Sequence, residues 1–343
     1  MTPNFLRDQL GEISGHAEHY RENMYYFKLD GEEYAVKPMN CPGHMLIYRS
    51  KLHSYRELPI KYFELGTVYR YEKAGVLHGL LRVRGFTQDD AHIFCRRDQV
   101  QGEIEKVLDL AFELLSAFGF KDYEIELSTQ PAKFIGKQED WDLATQALKN
   151  ALEKKKISYQ VHEGDGAFYG PKIDIKLKDA LGRKWQCSTV QCDFALPERF
   201  DLNFINEQGQ QERPIMLHRA LFGSVERFFG TLIEHHAGNF PLWLSPVQVV
   251  VVPIQPLHDA FAGTVADKLR AEGLRIEVDN RNESLGKRIR EARLKRVPYV
   301  LVIGDKEVEA GKVAVRKRPE TDMGQMAVED FVALLRKEIV DKV

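Results

Sequence analysis

The 343-residue sequence has no long apolar run, almost no net charge and few cysteines. Its longest apolar stretches, such as VQVVVVPI from Val247, fall far short of the roughly 20 residues that a membrane-spanning helix needs. The amino terminus has no signal-like apolar core either, so no membrane role is expected. The 49 basic residues nearly cancel the 51 acidic ones, and a net charge of −2 argues against coating nucleic acid nonspecifically with the whole surface. Any anionic partner must be met by a local patch. The four cysteines, Cys41, Cys95, Cys187 and Cys192, lack the paired spacing of a small secreted scaffold and point to a reducing, cytoplasmic setting. What is present, 43% hydrophobic residues over this length, suffices for two domains with their own cores.

From Lys61 to Cys95 the text reads as strand, polar loop and strand, an arginine-rich hairpin. Apolar residues from Glu103 to Phe118 recur at helical spacing, and Gly119 ends the helix. YEIELS, AFYGPKIDIKL and RKWQCSTVQCDF alternate as half-buried antiparallel strands do. RPIMLHRALFGSVERFFGTLIEHH is expected to carry a helix with Gly223 and Gly230 on one side. Pro241 and Pro246 then interrupt the periodicity, which sets a domain boundary at residues 1–242 and 243–343. Beyond it, strands and helices alternate as in a small α/β domain with a largely parallel sheet. Its basic residues crowd one helix: Lys287, Arg288, Arg290, Arg293, Lys295 and Arg296. By itself such a run reads as a solvated face.

Within the hairpin, RVRGF, with Arg82 and Arg84, follows Arg70, and guanidinium forks suit phosphate oxygens. Arginines on exposed strands serve equally as surface ion pairs, so this signal is weak alone. It gains weight from Phe86, which can cover a flat base, and from TQDDAH, where Gln88, Asp90 and His92 share one strand face. An amide, a carboxylate and an imidazole in one row are costly to bury without ligands, so the row is expected to line a polar pocket. NCPGHM, from Asn40 to Met45, poses a choice between a metal site, a redox site and a turn. Cys41 and His44 are the only local Cys/His pair, and the odd separation of Cys187 and Cys192 sends their side chains to opposite strand faces. The spacing thus argues against a structural Cys/His zinc site, and His218 alone reads as a core histidine.

Together KPMNCPGHM, RVRGFTQDDAHIFC, GAFYGPKID, WQCSTVQCDF, HRALFGSVERFFG, RNESLGKRIREA and GDKEVEAGKVAVR resemble the threonyl-tRNA synthetases, a family of class II aminoacyl-tRNA synthetases. The resemblance runs almost the whole length. It implies an α+β catalytic domain, an antiparallel sheet with helices, followed by a small α/β anticodon-binding domain. It also implies that threonine is activated by ATP with Mg2+ and passed to the terminal ribose of tRNA(Thr), in a protein that is a homodimer at full length.

Carried over residue by residue, the resemblance assigns one Zn2+ per chain to Cys41, His92 and His218. His44 becomes a support, and Pro42 and Gly43 a turn that aims the thiol. Such a metal would separate threonine from valine by engaging the hydroxyl, a discrimination of order 10⁴ in sites built for one. Gln88, Asp90, Tyr169 and Gln191 fall on threonine contacts. Arg70 falls on a grip for the α-phosphate and the threonine carboxylate, Glu72 and Phe86 on the adenine, and Arg227 on the γ-phosphate. Arg82, Lys172, Gln186 and Thr189 match nearby nucleotide or catalytic positions. His16 matches a histidine acting with the tRNA ribose, its plainer alternative being an ordinary surface histidine. Asn282, Arg296, Glu307 and Arg316 match positions that meet the anticodon. Thr2 and Pro3 sit where the first class II motif ends. The resemblance therefore places the dimer-forming helix and strand, and the domain that clears serine, outside this chain.

Overall fold

The strands with alternating polarity assemble into one seven-stranded sheet. Its order is Ile60–Tyr69, Gly85–Cys95, Ile215–Ser224, Lys184–Asp193, Lys172–Lys178, Tyr123–Ser128 and Gln160–His162. Every neighbouring pair is antiparallel except the last. The computed structural model describes residues 1–343, which divide into two compact units, Met1–Leu232 and Ile233–Val343. In the first unit the amphipathic helices Val100–Ala117 and Gln138–Lys154 bury Ile104, Leu108, Leu115, Leu148 and Leu152 and pack on the central strands. Residues of alternate parity on those strands are left for a second, polar face. No helix is long and apolar enough to cross a membrane.

Register decides which polar residues meet. One row crosses the sheet as Tyr62, His92, His218, Gln191, Lys172 and Ser128. The next row runs Glu64, Asp90, Ala220, Thr189, Asp174 and Glu126. A bulge between Gln186 and Ser188 inserts one residue, so Gln186 shares a face with Thr189 despite the odd spacing.

Three expectations for the elements of the first unit need correction. AFYG lies outside the strand that it was expected to open, which starts at Lys172. The segment around His218 is a strand, Ile215–Ser224, and only Val225–His235 is helical. Gly223 is therefore no helix-packing residue; it has φ +69° and a Cβ there would lie 2.5 Å from the Cys187 carbonyl oxygen. Pro42 and Gly43 form no separate turn but the first turn of the helix Cys41–Arg49, where proline's missing N–H costs nothing.

The second unit holds a five-stranded sheet in the order Ile276–Val278, Val249–Pro253, Tyr299–Ile303, Lys312–Lys317 and Thr321–Ala327. The first three strands pair in parallel, and Lys312–Lys317 pairs antiparallel with both of its neighbours. The sheet is mixed rather than largely parallel because only Gly304–Gly311 separates Tyr299–Ile303 from Lys312–Lys317, too little chain for a parallel crossover. Val249, Val251, Leu301, Ile303 and Phe331 are fully buried at its centre.

Candidate functional site

The polar face of the seven-stranded sheet opens into a cavity of about 460 Å³, within the roughly 300–1,000 Å³ of small-molecule sites. Gln88, Asp90, His92, Tyr169, Lys172, Gln186, Thr189, Gln191 and His218 line it, with Cys41 and Arg70 at its edges. A second cavity of about 150 Å³ shares Arg70, Gln88, Gln186, Thr189 and Gln191 and adds Glu72, Arg82, Phe86 and Arg227. Each residue expected to touch metal, threonine or nucleotide thus lines one of these two cavities, which share five lining residues.

Cys41, His92 and His218 each offer a ligand atom, all within 4.8 Å of one another and all buried. Three residues distant in sequence converge because His92 and His218 pair across adjacent strands, while Cys41 opens the helix Cys41–Arg49. His92 Nε2 lies 3.1 Å from His218 Nδ1. Tetrahedral zinc at about 2.0–2.1 Å from each nitrogen would hold them about 3.3 Å apart, so the donor set fits. Burial drives the Cys41 thiol well above its ordinary pKa and His92 well below, so a neutral imidazole is the resting form of His92. His218 Nε2 lies 2.9 Å from the Asp193 carboxylate, and His44 Nδ1 lies 2.7 Å from His92 Nδ1. His44 thus touches His92 and lies outside the three-donor cluster.

Around this cluster the residues expected to meet the amino acid are held by side-chain hydrogen bonds. Asn40 Nδ2 donates to Asp90 Oδ2 at 3.0 Å, and Gly66 permits it, since any Cβ there would lie 2.4 Å from the Asn40 side chain. Burial pushes the Asp90 carboxyl up to about 6 despite that bond. The Tyr169 ring stacks on His218 at 4.7 Å, and its hydroxyl donates to Gln191 Oε1 at 2.5 Å. Lys172 pairs with buried Asp174, which also accepts from Gln186 at 2.7 Å.

At the second cavity, the Arg70 guanidinium sits 5.2 Å over Phe86, and Arg82 binds Glu72 at 2.9 Å. Arg227 donates to the carbonyls of Leu81 and Gln186 at 2.8 and 2.9 Å. It is thereby fixed between the hairpin loop and the Lys184–Asp193 strand. Asp89, one residue out of phase with the pocket row, accepts from the N–H groups of Leu221, Phe222 and Gly223 at 2.8, 3.0 and 2.9 Å.

His16 is not a surface histidine. It is buried, its ring held by Ser14 at 2.7 Å and by the Met39 sulfur at 2.8 Å, and burial lowers its pKa to about 3. Met39 stands between it and the cavity wall. His19 and Tyr20, one helical turn on, line the cavity instead, with His19 stacked 4.9 Å from Phe168. Their i+3 and i+4 offsets from His16 were the available signal. Asp193, Glu64 and Asn40 were missed because nothing in their spacing marks them as partners of the metal donors or of Asp90.

The anticodon candidates in the second unit are less gathered. Asn282 lies in an exposed loop, Arg296 follows the helix Leu285–Leu294 with φ +61°, and Arg316 lies on the strand Lys312–Lys317. Glu307 is buried with both oxygens engaged, accepting from the Gly304 N–H at 2.9 Å and from Gln325 Nε2 at 2.5 Å. This carboxylate caps its own helix. Glu307→Ala is expected to cost about 0.5–2 kcal/mol of local stability, read as faster hydrogen exchange in the Tyr299–Ile303 and Lys312–Lys317 strands. Of the crowded cations, Lys287, Arg293 and Lys295 pair with Glu283, Glu320 and Glu277. Arg288 is buried against the carbonyls of Pro253, Ile254 and Asp279.

A seven-stranded, almost wholly antiparallel sheet packed on helices, followed by an α/β unit, is the class II synthetase architecture. Residues 25–236 match the tRNA synthetase class II core domain (G, H, P, S and T), and residues 248–338 match an anticodon binding domain. The chain belongs to the threonyl-tRNA synthetase family of that class. It is 56% identical over 338 residues to the threonine–tRNA ligase of Syntrophotalea carbinolica, covering 98% of this chain and 53% of that protein. With the threonine–tRNA ligase of Thermotoga maritima it shares 53% over 341 residues, 99% of this chain and 53% of the relative. The chain thus spans about half the length of the curated relatives it matches. A crystal structure described as the RNA binding domain of the Cryptosporidium parvum threonyl-tRNA synthetase superposes with a TM-score of 0.93 at 42% identity, over 98% of this chain and 85% of that one. A prolyl-tRNA synthetase from the same organism shares only the fold, at 18% identity and a TM-score of 0.73, over 100% of this chain and 66% of that one.

Proposed function

We propose that this chain is the aminoacylation core of a threonine–tRNA ligase, with residues 1–242 catalytic and 243–343 binding the anticodon. It would activate threonine with ATP and Mg2+ and pass it to tRNA(Thr), in the cytoplasm and as a homodimer at full length. The observation that carries this reading is the meeting of His92 and His218 on one sheet face with Cys41 from a helix start, beside a cavity flanked by Arg70 and Arg227.

In this reading Asp90, steadied by Asn40, and the Tyr169 and Gln191 pair hold the amino acid against the three donors. A bound Zn2+ would supply a Lewis-acidic centre that favours the threonine hydroxyl and leaves valine without a ligand to offer. Arg70 would meet the α-phosphate and the threonine carboxylate, while Phe86 and Glu72 hold the adenine and Arg227 the γ-phosphate. Charge grows on the α-phosphate during in-line attack, so fixed guanidinium groups supply the stabilisation and no protein base is needed. Arg227 already has this fixity. Lys172 adds a cation to the same wall, with Gln186 and Thr189 completing it. His16 would act at the tRNA ribose only after its contact with Met39 opens.

Threonine-dependent ATP–pyrophosphate exchange, measured with and without a zinc chelator, tests the proposal. Exchange is expected to fall at least about 100-fold on chelation, to return with Zn2+ but not with Mg2+, and to discriminate against valine by order 10⁴. Exchange that survives complete metal removal would overturn the role given to Cys41, His92 and His218.

A further inference from the structure

We propose that Trp185, which lines neither cavity, is a positioning residue for the nucleotide: its indole carries both His78 of the hairpin loop and the Arg227 guanidinium, and so fixes two walls of the second cavity relative to each other. The proposal rests on the reading of that cavity as the ATP site. The indole is itself held from the sheet. Its Nε1–H donates to Asp179 Oδ2 at 2.9 Å, and the same carboxylate accepts from the Leu181 and Arg183 N–H groups at 2.9 and 2.8 Å and from Arg183 Nε at 2.6 Å. Asp179 thereby ties the ring to the turn between the strands Lys172–Lys178 and Lys184–Asp193, so the sheet and not the loop sets the orientation of the ring.

Two groups rest on that ring. His78 lies parallel to it, with 6° between the planes and 6.1 Å between the centroids, within the range of stacked rings. The Arg227 guanidinium lies 5.6 Å from its centroid, a cation–π distance. His78 is exposed, and its backbone bonds run to Leu81 and Arg82 of its own loop at 2.9 and 3.0 Å. Beyond the stack, the loop is tied down by the Arg227 bond to the Leu81 carbonyl and by Leu81 itself, whose side chain lies 3.2 Å from where a Cβ on Gly230 would stand. Leu81, Arg82 and Val83 of this loop line the second cavity together with Arg227. An exposed loop and a long guanidinium side chain each lose conformational freedom when a ligand orders them. A shared aromatic platform removes that freedom beforehand, and preorganisation of this kind raises affinity without adding a contact to the ligand.

Hydrogen exchange of the loop in the full chain without nucleotide, together with the kinetics of ATP–pyrophosphate exchange, tests this. Trp185→Ala should speed amide exchange over residues 74–83 and raise the KM for ATP, each by about 3–10-fold, while the KM for threonine stays within about twofold of wild type. Trp185→Phe keeps a ring in place and should recover most of both effects. His78→Ala, a change at an exposed side chain, should speed loop exchange and raise the KM for ATP by a smaller factor, and it carries the test should Trp185→Ala fail to fold. Unchanged loop exchange in these variants overturns the proposal, and so does faster exchange with an unchanged KM for ATP. An equal rise in the KM for threonine also overturns it, since that marks a general loss of packing. If the wild-type chain shows no ATP-dependent exchange, the ATP reading falls separately, and loop exchange in Trp185→Ala and His78→Ala alone decides whether the ring is the platform.

Discussion

Arg70→Ala is expected to slow threonine-dependent pyrophosphate exchange by about 10²–10³-fold in kcat, with the fold unchanged by circular dichroism. The magnitude follows from removing a fixed donor aimed at charge that develops in the transition state. Arg70 follows the strand Ile60–Tyr69, borders both cavities and rests over Phe86, which is the position the proposed α-phosphate contact requires. Its one side-chain hydrogen bond within the protein, to the Pro38 carbonyl at 3.4 Å, is long, so the deletion leaves little structural damage behind. Arg70→Lys keeps the charge but not the planar fork, and most of the loss should remain. Exchange within tenfold of wild type in Arg70→Ala would remove this residue from the catalytic reading.

How much of this site is visible before folding depends on which physical rule places each residue. Gln88, Asp90 and His92 could be grouped from strand alternation alone, and the structure puts all three on the cavity wall. Cys41 and His218 could not be joined to them by spacing. They meet through the pairing of His218 with His92 and the helix start at Cys41, both long-range outcomes that only the family resemblance anticipated. Gln186 looked out of phase with Thr189 until a bulge reset the alternation. The opposite error came at HRALFGSVERFFG, where aromatic and apolar residues at mixed spacing read as one helix. The helix starts only at Val225, because the preceding residues fill a central strand buried on both sides. Second partners such as Glu64, Asn40 and Asp193 carry no pattern of their own. Their partners appear only when the fold buries them together.

Asp89→Ala should cost the first unit about 3–5 kcal/mol, the range for removing one partner from a buried charged network. The reason lies in the sheet register. Pairing between Gly85–Cys95 and Ile215–Ser224 slips between Ala220 and Ser224, which deprives Leu221, Phe222 and Gly223 of ladder carbonyls. Asp89 replaces them, both its oxygens accepting backbone N–H groups, and Arg219 lies 3.5 Å from the same carboxylate. Alanine would orphan three N–H groups and remove the carboxylate facing the Arg219 guanidinium, at a residue that is 3% exposed. Asp89→Asn keeps the shape but turns an NH₂ toward the same donors, so it should recover only part of the loss. The damage would also reach the nucleotide side, because Ser224 caps the Arg227 N–H at 3.1 Å at the end of this slip. Urea unfolding should therefore shift to lower midpoint while the surviving folded fraction shows weakened ATP binding. A variant with wild-type stability would mean that water or a neighbouring carbonyl satisfies the three N–H groups, and that Asp89 does not hold the Arg227 helix in place.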